Sequence, residues 1–233
     1  MLKGEQPYHR HASGRAVSLL ALLILKRSIP QSRAALAGLL WPDTDEGQAR
    51  TNLRKLIFEL RRLLPRTSSL RLDRDTLEWA ADSECDVDVE AFERIAAHAA
   101  SMEELEAGIA LYRGDLLPGC YDEWILAERE RLGQVYASLL ERLVAALEAR
   151  RAFRPALAYA GQLLGRDPLR EETYCLLMRL HGHQRDRAGV TQVYRRCVAI
   201  LRKELDVPPS AATEELYARL SGAGAEPHAP VLT

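Results

Sequence analysis

The sequence is poor in the residues that build metal sites and disulfide frameworks. It has four cysteines, widely spaced and without a Cys-x-x-Cys pair, at positions 85, 120, 175 and 197. Such spacing is typical of neither a zinc site nor a disulfide framework. The histidines also lack the helical spacing of a metalloprotease site. We therefore predict no metal and no cofactor, and we interpret Cys175 and Cys197 as small, reduced core residues.

The sequence also lacks a long hydrophobic run. The longest apolar stretch, residues 16–25, contains Ser18 and ends at Lys26-Arg27. A membrane-spanning helix needs roughly 20 residues, and no small-residue cleavage site follows at a secretory spacing. We therefore predict a buried helix, no membrane association and a cytoplasmic protein.

Motifs of common enzymes are absent as well. The sequence has no Gly-x-x-x-x-Gly-Lys loop, no Gly-x-Ser-x-Gly elbow and no His-Glu-x-x-His pair. Hydrophobic residues make up 47% of the chain, which is enough for an ordinary packed core. We therefore predict a globular protein that is not an enzyme.

A strong charge asymmetry is present, although the formal net charge is only −1. Residues 1–66 contain twelve Lys/Arg and five Asp/Glu, a net charge of +7. Residues 82–130 contain three Lys/Arg and fourteen Asp/Glu, a net charge of −11. This polarity favours one part that faces nucleic acid and another that faces protein.

The basic part has the element order of a winged helix. Hydrophobic periodicity predicts helices over 14–26, 33–40 and 46–64, separated by proline-containing breaks. Residues 69–72 and 76–79 alternate in character around a turn-forming tripeptide, which predicts a β-hairpin. We therefore predict a mostly α protein that begins with a winged helix-turn-helix domain over 14–81.

The remainder is predicted to be wholly helical. An acidic linker at 82–88 precedes it, and Ser101 with Glu104 has the pattern of a capping box that opens a helix. We interpret Tyr121 and Trp124 as core residues.

Internal repeats are visible in this helical part. Thirty-four residues is the period of tetratricopeptide repeats. Six pairs superpose at that shift: Leu140 on Tyr174, Leu143 on Leu177, Ala146 on Leu180, Ala156 on Val190, Ala160 on Tyr194 and Leu164 on Val198. We therefore predict an all-α, tetratricopeptide-like domain over 82–221 and a disordered tail over 222–233. A non-repeating helical bundle is the alternative.

Two motifs resemble a known family of regulators. Leu36-x-x-Leu-Leu-Trp-Pro-Asp43, followed by Ala49-Arg-Thr-Asn-Leu-Arg-Lys-Leu-Ile-Phe-Glu-Leu-Arg-Arg-Leu-Leu64, resembles the second and third helices of SARP-type (antibiotic regulatory protein) activators. Ala110-Leu-Tyr-Arg-Gly-Asp-Leu-Leu-Pro-Gly119, with Trp124 and Glu128-Arg129 after it, is similar to the opening of the bacterial transcriptional activator domain. The resemblance covers roughly residues 16–220. It implies a bacterial activator with a response-regulator-type winged helix that binds promoter DNA and recruits RNA polymerase.

One departure from that family lies at the start of the chain. The family has a small β-sheet before its first helix, and residues 1–13 are too short and too polar to supply it fully. We therefore expect this N-terminal sheet to be truncated.

The third predicted helix is the candidate DNA-binding element. If its leucine and isoleucine stripe faces the core, the helical wheel places a basic face opposite. That face comprises Arg50, Thr51, Arg54, Lys55, Phe58 and Arg62, with Arg61 at its edge. Arginine can pair with guanine in the major groove, and an aromatic ring can contact a thymine methyl group. The alternative is an ordinary solvated helix face.

Two further segments are candidates for contacts. Arg71 and Arg74 of the predicted hairpin would reach the DNA backbone or the minor groove. The loop before the third helix carries Asp43, Asp45 and Glu46, which the resemblance places where RNA polymerase is contacted. An N-cap role for Asp45 or Thr44 in this loop is an equal alternative.

These features together predict a DNA-binding transcriptional regulator that activates from promoter DNA. Its partners would be double-stranded DNA, RNA polymerase and, through the helical domain, a second copy in a homodimer. The alternative is a tetratricopeptide-like interaction module whose winged helix no longer binds DNA. Salt-dependent binding to duplex DNA separates the two hypotheses.

Overall fold

The computed structural model describes residues 13–64, 69–80 and 86–222. Within these ranges the chain forms helices and one small sheet, so the prediction of a mostly α protein is confirmed. The elements are α1 (Gly14–Leu25), β1 (Gln31–Ser32), α2 (Arg33–Leu40), α3 (Glu46–Leu63), β2 (Leu70–Leu72), β3 (Thr76–Trp79), α4 (Asp88–His98), α5 (Met102–Leu111), α6 (Glu123–Ala149), α7 (Phe153–Arg166), α8 (Glu171–His183), α9 (Arg187–Glu204) and α10 (Ala211–Ser221). The truncated sheet expected at the N-terminus, Cys85 and the tail from residue 223 lie outside the described residues.

The chain divides into two compact units. The first contains the described residues up to Ala97 together with Ala110–Leu132. The second contains His98–Ile109 and the described residues from Gly133 onward. The first ten residues of α6 therefore belong to the first unit.

The core of the first unit is built around α1. Apolar residues of α1 recur at three- and four-residue spacing, and Leu19 and Leu23 are fully buried. They join Leu53 and Leu60 of α3 and Leu77 of β3 in one hydrophobic cluster. Burying each such side chain contributes about 1.5–3 kcal/mol. Packing of α1 against α3 and β3 therefore holds the unit together.

The sheet of the first unit has the strand order β1-β3-β2, with both pairings antiparallel. Leu70 pairs with Trp79, as expected for the predicted hairpin, and Gln31 pairs with Leu77. The second pairing was not expected, because the sequence predicted a helix break at 28–30 and a helix cap at Ser32, and no strand. Ser32 also caps α2, since its hydroxyl oxygen accepts from the backbone N–H of Ala35.

The second unit is wholly helical in its described residues, and its helices pack in succession along the chain. In it α8 packs against α7 and α9, and α10 packs against α8 and α9. Leu140 and Tyr174, related by the 34-residue shift, are both fully buried. Ala156 and Val190 are a second such pair. Burial at these two pairs fits the predicted repeat, whereas Ala160 and Leu164 are buried and their counterparts Tyr194 and Val198 are half-buried.

Some sequence predictions were wrong in detail. Tyr121 is 79% exposed rather than buried, whereas Trp124 packs against the core of the first unit as expected. Asp88, the last residue of the predicted acidic linker, begins α4, and residues 82–85 of that linker lie outside the described residues. Cys197 is fully buried, and this burial raises the pKa of its thiol to about 12.

Two kinds of feature are absent from the described residues. No helix in these ranges is long and apolar enough to cross a membrane. In the same part of the chain, no group of three or more His, Cys, Asp or Glu residues could hold a metal ion.

Candidate nucleic-acid interface

Helix α3 begins at a well-formed cap. Asp45 is its N-cap, and a carboxylate oxygen of Asp45 accepts from the backbone N–H of Gln48 at 3.0 Å. Glu46 lies in the first turn, and Arg61 and Arg62 lie in the last. Acidic residues at the start of a helix and basic residues at its end complement the helix dipole. Local sequence alone therefore accounts for both ends of α3.

One face of α3 is buried and determines which face points outward. Leu53, Leu56, Ile57 and Leu60 are each at most 6% exposed. They belong to the cluster that α1 and α2 share with α3. The orientation assumed on the helical wheel is therefore the one observed.

The opposite face is exposed and basic. The exposed side chains on it are Arg50, Arg54, Lys55, Phe58, Arg61 and Arg62. Thr51 is half-buried, and Phe58 is 66% exposed. We call these seven residues the α3 face.

The helical spacing arranges the α3 face in two rows. Thr51, Lys55, Phe58 and Arg62 follow one another at three- and four-residue intervals and lie opposite the buried stripe. Arg50, Arg54 and Arg61 form a second row along one side. An aromatic ring therefore lies among cations at the centre of the face.

Contacts within the α3 face leave most of its positive charge available. Arg50 forms an ion pair with Glu46, and both side chains are more than half exposed. Exposed pairs contribute only about 0–1 kcal/mol, so Arg50 can exchange Glu46 for another anion. Lys55 and Arg61 form no ion pair with any described residue. Arg62 lies over the ring of Phe58, 6.0 Å from its centroid.

Thr51 forms a hydrogen bond that links the two rows of the α3 face. Its hydroxyl donates to the carbonyl of Gly47 at 3.0 Å, and the guanidinium of Arg54 donates to its oxygen at 3.2 Å. The hydroxyl is thus already satisfied within the helix. Its part in recognition stays a prediction, like that of the rest of the face.

Sequence reasoning missed one polar residue in the first turn of α3. Gln48 is exposed, and its amide nitrogen donates to the side-chain oxygen of Asn52 at 2.9 Å. The signal was two amide side chains four residues apart near a helix start. Neither residue is charged, so neither belonged to the basic face predicted from the helical wheel.

The β2–β3 hairpin carries the other two predicted DNA contacts. Arg71 lies on β2, 3.9 Å from the carboxylate of Glu78 on β3. Arg74 is exposed in the turn, and its backbone N–H donates to the side chain of Asp73 at 2.8 Å. The two arginines therefore lie on the strand and at the tip of one hairpin.

The start of α2 holds that hairpin tip in place. The backbone N–H of Arg33 donates to the carbonyl of Asp75 at 2.9 Å. Its guanidinium donates to the carbonyls of Asp73 and Arg74 at 3.3 and 3.4 Å. Three contacts from one residue therefore link α2 to the hairpin.

The start of α1 is linked to α3 and to the end of α2. The backbone N–H and the hydroxyl of Ser13 donate to the Glu59 carboxylate at 2.8 and 3.0 Å. Arg15 donates to the carbonyl of Leu40 and lies 5.2 Å from the centroid of the Trp41 ring. Both contacts hold elements that flank the α2–α3 loop.

The acidic residues of that loop differ in their contacts. Asp43 is exposed and forms no ion pair within the described residues. Asp45 is the cap of α3, and Glu46 pairs with Arg50. The N-cap alternative for Asp45 is thus observed, and Asp43 is the acid of this loop without a local role.

Comparisons with known proteins show what the chain is similar to. The profile of the bacterial transcriptional activator domain matches residues 87–221, more than half of the chain. Among solved structures, Mycobacterium tuberculosis EmbR, in complex with a low affinity phosphopeptide, matches with a TM-score of 0.69 and 18% identity. The match covers 94% of this chain and 61% of the EmbR chain, so the two share a fold over most of the present protein. No curated protein matches the sequence.

Proposed function

Because the chain belongs to the family of the bacterial transcriptional activator domain and is a SARP-type regulator, we propose that it binds promoter DNA and activates transcription. The proposal assigns DNA binding to residues 14–81 and the activator role to residues 82–221.

The first part of the proposal is that α1–α3 and the hairpin form a winged helix-turn-helix. Three helices are followed by two strands, and β1 completes a small sheet beside them. The match to EmbR covers 94% of the chain and so includes most of this region. In such folds the recognition helix enters the major groove. Here that helix is α3, and the β2–β3 hairpin is the wing.

The α3 face is the observation that carries the proposal. It presents five cations, and Glu46 beside it is the acid that pairs with one of them. Lysine and arginine on such a face neutralise DNA phosphates, and arginine also reads guanine edges. Phe58 is large, apolar and exposed, and its ring suits contact with a thymine methyl group.

The second part of the proposal concerns protein partners. Residues 82–221 would contact RNA polymerase or a second copy of the chain, since stacked helical repeats expose extended binding surfaces. Asp43 in the α2–α3 loop is the second candidate for polymerase contact. A protein with these partners would act in the cytoplasm.

Salt-dependent binding to duplex DNA tests the proposal. The full chain should bind a subset of fragments from its own genome, with log K falling linearly as log salt rises. About six phosphate contacts would give a slope near −5. A control duplex of scrambled sequence should bind more weakly at the same salt concentration. No salt-dependent binding to any fragment would overturn the proposal and favour the interaction-module alternative.

A further inference from the structure

The side chain of Gln48, the third residue of α3, does not turn back onto the start of the helix. In a capping box, a glutamine at this position turns back to the N–H of the capping residue. Here its backbone N–H is held by Asp45, while its side chain extends forward to Asn52 at 2.9 Å. The amide is thus oriented along the exposed surface of α3 rather than folded onto its end.

The contact with Asn52 leaves one N–H and the oxygen of the Gln48 amide without a partner among the described residues. A primary amide has two N–H donors and one acceptor oxygen. One N–H of Gln48 is used by Asn52. The second N–H and the oxygen have no partner among the described residues. One donor and one acceptor of this exposed amide therefore remain available.

Adenine has the matching pair in the major groove. Its N7 accepts a hydrogen bond and its N6 amino group donates one, so glutamine pairs with it through two bonds. The other three bases do not present this pattern at these positions. Recognition helices of the helix-turn-helix type place their N-terminal residues on base edges, and Gln48 lies in the first turn of α3.

We propose that Gln48 reads one adenine of the target DNA and that Asn52 positions its amide. The inference rests on the proposed function, since it needs α3 in the major groove. Gln48 contributes preference for adenine at one base pair, whereas the cations of the α3 face contribute phosphate contacts and contacts with guanine. A glutamine–asparagine pair four residues apart also stabilises a helix slightly, so stability cannot test the proposal.

The experiment measures base preference with the full chain. Binding sites are selected from random duplexes with the wild type, and each base pair of the selected site is then changed singly. Replacing one particular A·T pair by any other base pair should lower affinity about 10- to 100-fold. Gln48→Ala should flatten the preference at that pair alone. Gln48→Glu should shift it toward cytosine, because a carboxylate accepts from the cytosine amino group.

A modified base gives an independent readout. Replacing that adenine by 7-deazaadenine removes the N7 acceptor without changing base pairing. The wild type should lose affinity, whereas Gln48→Ala should bind both duplexes equally. Asn52→Ala should weaken the preference at the same pair and leave the others unchanged. Arg62→Ala serves as the matched control, because it should lower affinity and leave the preference at that A·T pair unchanged.

The possible failures are distinct. If the wild type binds no duplex DNA, the proposed function fails and this inference fails with it. If the wild type binds DNA and Gln48→Ala retains every base preference, only this inference is overturned. Equal weakening of all sequences by Gln48→Ala would also overturn it, since that result describes a non-specific contact.

Discussion

The hydroxyl of Ser18 donates to a carboxylate oxygen of Asp122 at 2.5 Å, although 104 residues separate them in the chain. Ser18 is fully buried in α1, and Asp122 immediately precedes α6. The thiol of Cys120 lies 3.6 Å from the same oxygen. Nearby, Trp124 packs against the core that α1 helps to form. The beginning of the matched activator domain is therefore part of the same compact unit as the proposed recognition helix.

Removing the Ser18–Asp122 bond should destabilise the first unit. A hydrogen bond to a charged group contributes about 1.5–3 kcal/mol. Ser18→Ala and Asp122→Ala should each lower the free energy of unfolding by about 1–3 kcal/mol, because each breaks the same bond. Urea denaturation of both variants and of the double variant measures this. Their effects should not add, since they share one interaction.

Glu123→Ala is the control for Asp122→Ala, because it removes an exposed carboxylate at the adjacent position. We expect a smaller loss for it. Strict additivity of the Ser18 and Asp122 effects would contradict the predicted coupling.

Arginines of the α3 face should control affinity for DNA. Arg54→Ala and Arg62→Ala should each weaken binding, because each removes a cation from the surface proposed to face phosphate or base edges. A variant that loses one phosphate contact should also show a salt slope smaller by about one. Fluorescence anisotropy at several salt concentrations gives both quantities. Arg195→Ala, which removes an exposed arginine of α9, is the matched control. Equal effects of Arg62→Ala and Arg195→Ala would contradict the assignment.

Elements with strong local signals could be predicted from the sequence. Helix α3 has its cap at Asp45 and a buried stripe at three- and four-residue spacing, and its observed end differs from the predicted one by a single residue. The hairpin was predicted for the same reason, because turn-forming residues separate two alternating segments. Helix α3 and the hairpin are both determined by residues that are close in sequence, so a pattern of neighbouring residues is enough to predict them.

Elements that depend on distant partners could not be predicted. The two residues of β1 form a strand only because β3 lies beside them. Helix α4 buries only Phe92 among its described residues, and its acidic first turn continues the acidic run that the sequence predicted to be a linker. Tyr121 was predicted to be buried, but it precedes α6 and is exposed, whereas Ile125 of α6 is buried.

The cationic face of the candidate site could be predicted from the sequence, whereas Gln48 could not. A helical wheel identifies an exposed cationic face, and the observed burial of α3 agrees with it. Gln48 carries no charge, and the value of its amide depends on a side-chain contact with Asn52 that the wheel does not show.

The second unit contains a pH-dependent cap. Asp186 is the N-cap of α9, and its carboxylate accepts from the backbone N–H of Gly189 at 2.9 Å. Its other oxygen lies 2.8 Å from Nδ1 of His181. The backbone hydrogen bond from Gly189, followed by the contact with His181, lowers the pKa of the Asp186 carboxyl. A carboxyl with a lowered pKa in the folded state stabilises that state only while it is ionised.

Asp186→Ala should therefore destabilise the protein most at neutral pH. The stabilisation is present above the ordinary aspartate pKa of 3.8 and is lost as pH falls through the lower folded-state value. Urea midpoints of the wild type and Asp186→Ala should differ at neutral pH and converge toward acid pH. Glu215→Ala, which removes an exposed carboxylate of α10, controls for net charge. A difference that does not change with pH would contradict the prediction.

Two glycines should respond in opposite directions to substitution by alanine. A Cβ at Gly189 would overlap the His181 ring nitrogen and the Asp186 carboxylate, so Gly189→Ala should cost about 1–3 kcal/mol. A Cβ at Gly161 would meet nothing within 4 Å, and this glycine lies exposed in the interior of α7. Gly161→Ala should stabilise the protein by about 0.5–1 kcal/mol, because alanine favours the helix. Thermal unfolding of both variants measures the difference. Destabilisation by both would show that helix propensity does not decide the effect at Gly161.

Asp43 should affect activation without affecting DNA binding. It is exposed in the α2–α3 loop, forms no ion pair within the described residues and carries the wrong charge for contact with phosphate. If the loop contacts RNA polymerase, Asp43→Ala should lower transcription in a purified system severalfold while DNA affinity stays within about twofold. Asp45 needs a different substitution, because Asp45→Ala would also remove the cap of α3 and cost about 1 kcal/mol. Asp45→Asn keeps a capping oxygen and removes the charge, so it tests charge alone. Loss of transcription only in proportion to loss of DNA binding would contradict a polymerase contact at this loop.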